Sequence, residues 1–145
     1  MVDVVTSIEI KAPLTKVAAY AMDPDKAPEW YVNIKSVEWK TSKPLTIGSQ
    51  VVFVAHFMGR ELNYTYEIIV LSVDRLVMRT SDGPFPMETS YSFAELSDDL
   101  TRMTLRNRGR PSGFSGLFAP FMSTMMKMAN KKDLRRIKKI LERGE

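Results

Sequence analysis

Residues 113–145 read GFSGLFAPFMSTMMKMANKKDLRRIKKILERGE. The stretch changes character halfway. From Gly113 to Asn130 the only charged residue is Lys127, and the large apolar residues are almost all Phe and Met. From Lys131 to Glu145, ten of fifteen residues are charged. At about 100° per residue, Phe114, Leu117, Phe118, Phe121, Met122, Met125, Met128 and Ala129 fall within an arc of about 140°, and Met126 widens it to about 180°. Leu134, Ile137, Ile140 and Leu141 form a second stripe, rotated from the first by over about 100° if the helix is straight. Pro120 either bends this helix or sits in its first turn. A helix apolar over half its circumference has more than one surface to meet.

Upstream, the periodicity is that of strands. DVVTSIEIKAP places Val4, Thr6, Ile8 and Ile10 on one face and Asp3, Val5, Ser7 and Glu9 on the other. Pro13 suits the start of a helix, along which Leu14, Val17, Ala18 and Ala21 recur at helical spacing. DPDKAP breaks it, and a short second helix around PEWYV turns Trp30 inward. IKSVEWKT is the next strand, followed by the loop SKPLTIGS, where Gly48 permits the turn. SQVVFVAHFM aligns Val51, Phe53, Ala55 and Phe57. After a hairpin tip, ELNYTYEIIVLSV aligns Leu62, Tyr64, Tyr66, Ile68 and Val70. RLVMRTSDG is a further strand, METSYSFAEL aligns Tyr91 and Phe93, and LTRMTLRNRGR sets Met103 and Leu105 against Arg102, Thr104, Arg106 and Arg108. About seven consecutive strands with short connections predict an antiparallel meander.

With 145 residues, 44% hydrophobic and 26% charged, the chain reads as one domain over residues 1–145. No apolar run reaches the roughly 18 residues of a membrane span, and MVDVVTSIEIKAP lacks the pattern of a secretion signal. There is no cysteine, which excludes disulfides and thiolate chemistry and fits a cytoplasmic protein. The net charge of +4 is uneven: −5 over residues 1–99 and +9 over 100–145.

The order of elements is strand, two short helices, about six strands and one long helix. Specific stretches carry a resemblance. SIEIKAPLTKVAAYAMDPDKAPEWYVNIKSVE resembles the opening of the SRPBCC superfamily's bacterial polyketide cyclase/dehydrase-like proteins, and DRLVMRTSDGPFPMETSYSFAEL their mid-sheet strands. LTRMTLRNRG is similar to their penultimate strand, although Leu100 stands where the family often has Gly, and DLRRIKKILE to the end of their long helix. The resemblance implies an α+β helix-grip fold, as in START domains and the birch-pollen allergen. In it a curved antiparallel sheet of about seven strands wraps a long C-terminal helix, with two short helices after strand 1. It also implies a cavity between sheet and helix, which would account for the wide apolar arc of residues 114–129.

On this basis the expected function is binding of a hydrophobic small molecule, lipid- or polyketide-like. The expected lining is Phe53, Phe57, Tyr64, Tyr66, Ile68, Met78, Tyr91, Phe93 and Met103 from the sheet. The helix and its approach add Phe114, Phe118, Phe121, Met122 and Met125. Methionine repacks around varied shapes, but the same residues serve ordinary core packing equally well. A polyketide aromatase/cyclase-type enzyme is the alternative, with Arg79, Tyr64 and Tyr66 as weak catalytic candidates. The sole histidine, His56, lies opposite Phe53, Ala55 and Phe57 by alternation, and no residue set suggests a metal site, so neither metal nor cofactor is expected. The basic C-terminal region allows a third reading, a protein- or membrane-interaction module. It lacks a nucleic-acid motif and interleaved aromatics, so nucleic acid is not an expected partner, nor is integral membrane association. Monomer and homodimer both remain open.

Overall fold

A computed structural model describes residues 2–57, 59–82, 86–110 and 118–143, with the backbone alone at 57 and 118–120. The first strand, β1 (Val2–Ile10), leads to helices α1 (Leu14–Ala21) and α2 (Ala27–Trp30). Six strands follow: β2 (Ile34–Trp39), β3 (Gln50–Phe57), β4 (Arg60–Ser72), β5 (Arg75–Asp82), β6 (Met87–Ser97) and β7 (Leu100–Gly109). Helix α3 (Phe118–Glu142) closes the chain. The sheet runs β1-β7-β6-β5-β4-β3-β2 with every neighbouring pair antiparallel. Sequential hairpins build six strands, and β1 returns to the far edge beside β7. The sheet curls into a half-barrel around α3, the helix-grip arrangement.

Alternation decides which side chains enter the half-barrel. In β1, Val2, Val4, Thr6 and Ile10 are buried while Asp3, Val5, Ser7 and Glu9 are exposed. In β7, Thr101, Met103, Leu105, Asn107 and Gly109 are buried, with Arg102 exposed on the other face. Parity fails in β4, where the register shifts between Ile68 and Val70. A bulge reverses the facing of the residues beyond it, so Leu71, not the expected Val70, packs against the main core. Glycines at positive φ shape two connections, Gly48 (94°) before β3 and Gly59 (76°) in the β3–β4 hairpin.

Trp30 is fully buried where α2 meets the sheet. It stacks on Tyr31 with ring centroids 4.0 Å apart and meets Tyr91 edge-on at 5.6 Å. On α3, Leu134, Ile137 and Leu141 join that core, each a burial worth roughly 1.5–3 kcal/mol. Met122 packs instead with Val2 and Val4 of β1.

Gly109 ends β7 between Val2 and Met87. A Cβ there would stand 2.7 Å from both the Met87 sulfur and the Pro86 carbonyl oxygen. The sulfur can swing away, but the backbone oxygen cannot. Gly109→Ala is therefore expected to lower stability by about 1–3 kcal/mol, measured by urea unfolding.

The buried face of α3 corrects one expectation. Its two apolar stripes are not separate. Met122, Asn130, Asp133, Leu134, Ile137 and Leu141 are buried and Met126 partly so, at spacings that keep one face on the sheet. Two polar residues, Asn130 and Asp133, bridge the apolar halves. The other flank of the expected arc is outside: Phe121 is 49% exposed and Met128 56%. One sheet face cannot cover half a helix's circumference, and the buried stripe, continued by Leu134 and Ile137, selects which half it covers.

Candidate functional site

Between α3 and the β2–β7 wall lies a cavity of about 140 Å³. Its sheet side is set by register. Ile34 pairs with Ala55 and Phe53 with Tyr64 across β2, β3 and β4. Met78, Thr89 and Asn107 stand abreast across β5, β6 and β7. All of these and Tyr66 line the cavity. Met126, Ala129, Asn130 and Asp133 enclose it from α3, and Tyr31 and Asn33 from the segment after α2. A second hollow of about 220 Å³ adjoins it through Asn33 and Ala129, and adds Val32, His56, Met125, Met128 and Lys132.

The walls are mostly apolar, with polar groups gathered in two places. On the sheet, the Thr89 hydroxyl donates to Asn107 Oδ1 at 2.6 Å. Its single hydrogen is thereby used, so in the 3.3 Å contact with Tyr66 the phenol is the donor. On the helix side, Asp133 is only 3% exposed, and its Oδ1 accepts the Val32 backbone N–H at 2.9 Å. Burial pushes the Asp133 carboxyl up to about 6, opposed by that N–H and by the Arg136 charge. Tyr31 and Tyr91 share a hydrogen bond of 2.5 Å between their hydroxyls. Burial raises both phenols well above their ordinary pKa, and pushes Tyr64 and Tyr66 up to about 12. All four phenols therefore stay protonated at neutral pH. They can donate hydrogen bonds but cannot act as bases.

Asn130 completes the set. It is 6% exposed, and its amide nitrogen has no hydrogen-bond partner among the described residues. Two other buried side-chain atoms share that condition, Thr6 Oγ1 and Trp30 Nε1, but neither residue lines the cavity.

Of the residues expected at a pocket, Phe53, Tyr64, Tyr66 and Met78 line this one. Met125 lines the outer hollow. Ile68 and Tyr91 border a separate space of about 10 Å³, no more than a single water needs. Phe93 and Met103 are buried in the main core, Met122 packs on β1, and Phe121 faces outward, so these four do not line it. Phe114 lies outside the described residues, as do the side chains of Phe57 and Phe118. Arg79 is corrected. It follows inward-facing Met78 by one residue, so its side chain is on the outer face, 60% exposed and 3.6 Å from Glu88. His56 borders the outer hollow, 3.8 Å from Glu61.

Thr89, Asn107, Asn130 and Asp133 are among the lining residues that sequence reasoning missed. The first two have the parity of Tyr91 and Met103 and were legible by alternation. Asp133 and Asn130 precede Ile137 and Leu134 by four residues, so they lie in the helix's buried stripe. The density of lysine and arginine around them hid that phase.

The basic residues are partly neutralised. Arg106 makes two bonds to Asp3, at 2.9 and 2.6 Å, and Arg108 reaches Glu88 at 2.9 Å. Arg102 lies 3.6 Å from Glu9, and Lys138 is 2.6 Å from Glu142. Among the described residues no cluster of His, Asp and Glu has the makings of a metal site, and no helix is long and apolar enough to cross a membrane.

Fold and site together define a helix-grip domain with a largely apolar cavity between its sheet and long helix. The chain belongs to the family described as polyketide cyclase/dehydrase and lipid transport, whose model matches residues 1–142. Solved structures share the fold at low identity. A START superfamily protein from Mycobacterium smegmatis is 14% identical, with a TM-score of 0.85 over 99% of each chain. A protein from Thermus thermophilus is 19% identical, with a TM-score of 0.82 over 94% of each. An aromatase/cyclase from Streptomyces sp. R1128 is 13% identical, with a TM-score of 0.80 over 97% of this chain and 93% of its own. No curated protein sequence matches the chain.

Proposed function

We propose that the protein binds a small, mainly apolar molecule in the cavity between α3 and the sheet. The observation that carries this reading is a half-open cavity whose walls include Phe53, Ala55, Met78 and Met126 with a few buried polar groups among them. The size limits the occupant. Drug-sized ligands use roughly 300–1,000 Å³, whereas a cavity of about 150 Å³ accepts benzene. At about 140 Å³ the inner space takes one ring or a short acyl segment, and a longer molecule would extend into the outer hollow past Ala129. A whole polyketide chain is too large for the inner space alone. Among the described residues, nothing at the cavity favours cyclisation chemistry over binding. Arg79 is on the other face of the sheet, and the lining phenols are held protonated.

Native mass spectrometry of freshly purified protein is expected to find a retained small molecule. Toluene titrated into the stripped protein is expected to shift the amide NMR signals of Ala55, Tyr66 and Ala129. A protein that carries nothing and shows no shift at these residues with toluene would refute the reading.

A further inference from the structure

We propose that Asn130 and Asp133 anchor a hydrogen-bond acceptor, which makes the ligand a small neutral carbonyl compound: a ketone, aldehyde or ester built on one ring or a short chain. The proposal rests on the reading of the cavity as a binding site and names what that site selects.

Hydrogen-bonding capacity around the cavity is unevenly spent. The Asn130 amide nitrogen is a buried donor with no partner among the described residues. Buried donors are rarely left so, because water solvates them in the unfolded chain and nothing replaces it. Three of the acceptors, in contrast, are engaged. Asn107 Oδ1 takes the Thr89 hydroxyl, the Thr89 oxygen takes Tyr66, and Asp133 Oδ1 takes the Val32 N–H. The buried group left without a partner at the cavity is thus a donor, the Asn130 amide, and its complement is an acceptor such as a carbonyl oxygen. A carboxylate ligand fits poorly, since Asp133 shares the wall.

Asp133 adds a pH dependence. When protonated, its carboxyl is a further donor toward a carbonyl oxygen; when ionised, it repels one. The groups whose charge or dipole acts on it are Arg136 of α3, Tyr31 after α2, and Tyr91 of β6. Burial holds the carboxyl near 6, so the change falls between about pH 5 and pH 7.

The test compares cyclohexanone with methylenecyclohexane, which replaces C=O by C=CH2 at nearly constant shape. Affinities are measured by amide NMR titration on the full chain at pH 5 and pH 7.5. Cyclohexanone is expected to bind about five- to tenfold more tightly at pH 5, the range of one added hydrogen bond. Asn130→Leu removes a buried unpaired donor, so it is expected to fold and to lower the preference for cyclohexanone at pH 5 to what protonated Asp133 alone supports. Asp133→Asn is expected to make cyclohexanone affinity independent of pH. Equal affinities in the wild type at pH 5, or a carbonyl preference at pH 5 that is undiminished in Asn130→Leu, overturn the anchor while leaving the cavity a binding site. Failure of both probes to bind refutes the binding site itself, and the anchor with it.

Discussion

Asp133→Asn is expected to stabilise the protein at pH 7.5 and to leave it almost unchanged at pH 4. The residue is 3% exposed, and burial lifts the pKa of its carboxyl from 3.8 to about 6. The folded state thus holds the proton more tightly than the unfolded chain. The stability this provides is fully present below about pH 4, is lost as the pH rises toward 6, and does not return above it. A gap of about two units corresponds to about 3 kcal/mol at roughly 1.4 kcal/mol per unit. Asparagine keeps an oxygen for the Val32 N–H and carries no charge to desolvate. Its new NH2 group costs part of the gain, which leaves about 1–3 kcal/mol. Urea unfolding of both proteins at the two pH values measures it. A loss of stability at pH 7.5 would mean that the carboxylate's attraction to Arg136 and its bond to Val32 outweigh its burial.

The same residue marks where the sequence stops being readable. Strands were legible because their two faces differ sharply: Asp3, Glu9 and Arg102 on one side, Val4, Ile10 and Met103 on the other. Short connections then forced β2 to β7 to pair in sequence, whereas the place of β1 beside β7 does not follow from connection length. The bulge near Ile69 was not legible, because ELNYTYEIIVLSV is apolar on both faces beyond Ile68 and alternation says nothing there. The site was half legible. Phe53, Tyr64, Tyr66 and Met78 announce an apolar wall. The polar end is invisible to any scheme that equates polar with exposed. Asn130 and Asp133 sit among lysines and arginines, and only their phase relative to Leu134 and Ile137 places them inside. Helix α3 misled in the opposite direction too, since Phe121 and Met128 are apolar and yet lie outside. Charge and hydrophobicity each give one vote per residue, whereas burial is decided by the whole helix finding one orientation on one sheet.

Ala55→Phe is expected to abolish small-molecule binding without harming the fold. Ala55 belongs to β3, has the inward parity of Val51 and Phe53, and lies across from Ile34 and Leu62. It is the smallest side chain on the sheet wall of the cavity, and a phenyl ring there would fill much of about 140 Å³. Strand propensity favours the change, since phenylalanine suits a pleated, half-buried position better than alanine. Filling an existing void also avoids the strain that arises when a tightly packed core is enlarged. Stability is therefore expected to stay level or rise by up to about 1 kcal/mol, while cyclohexanone and toluene affinity falls by more than about 100-fold. Thermal unfolding and amide NMR titration read the two effects separately. If the probes still bind to Ala55→Phe with wild-type affinity, they occupy the outer hollow beside Met125 and Met128, and the inner cavity is not where this protein holds its ligand.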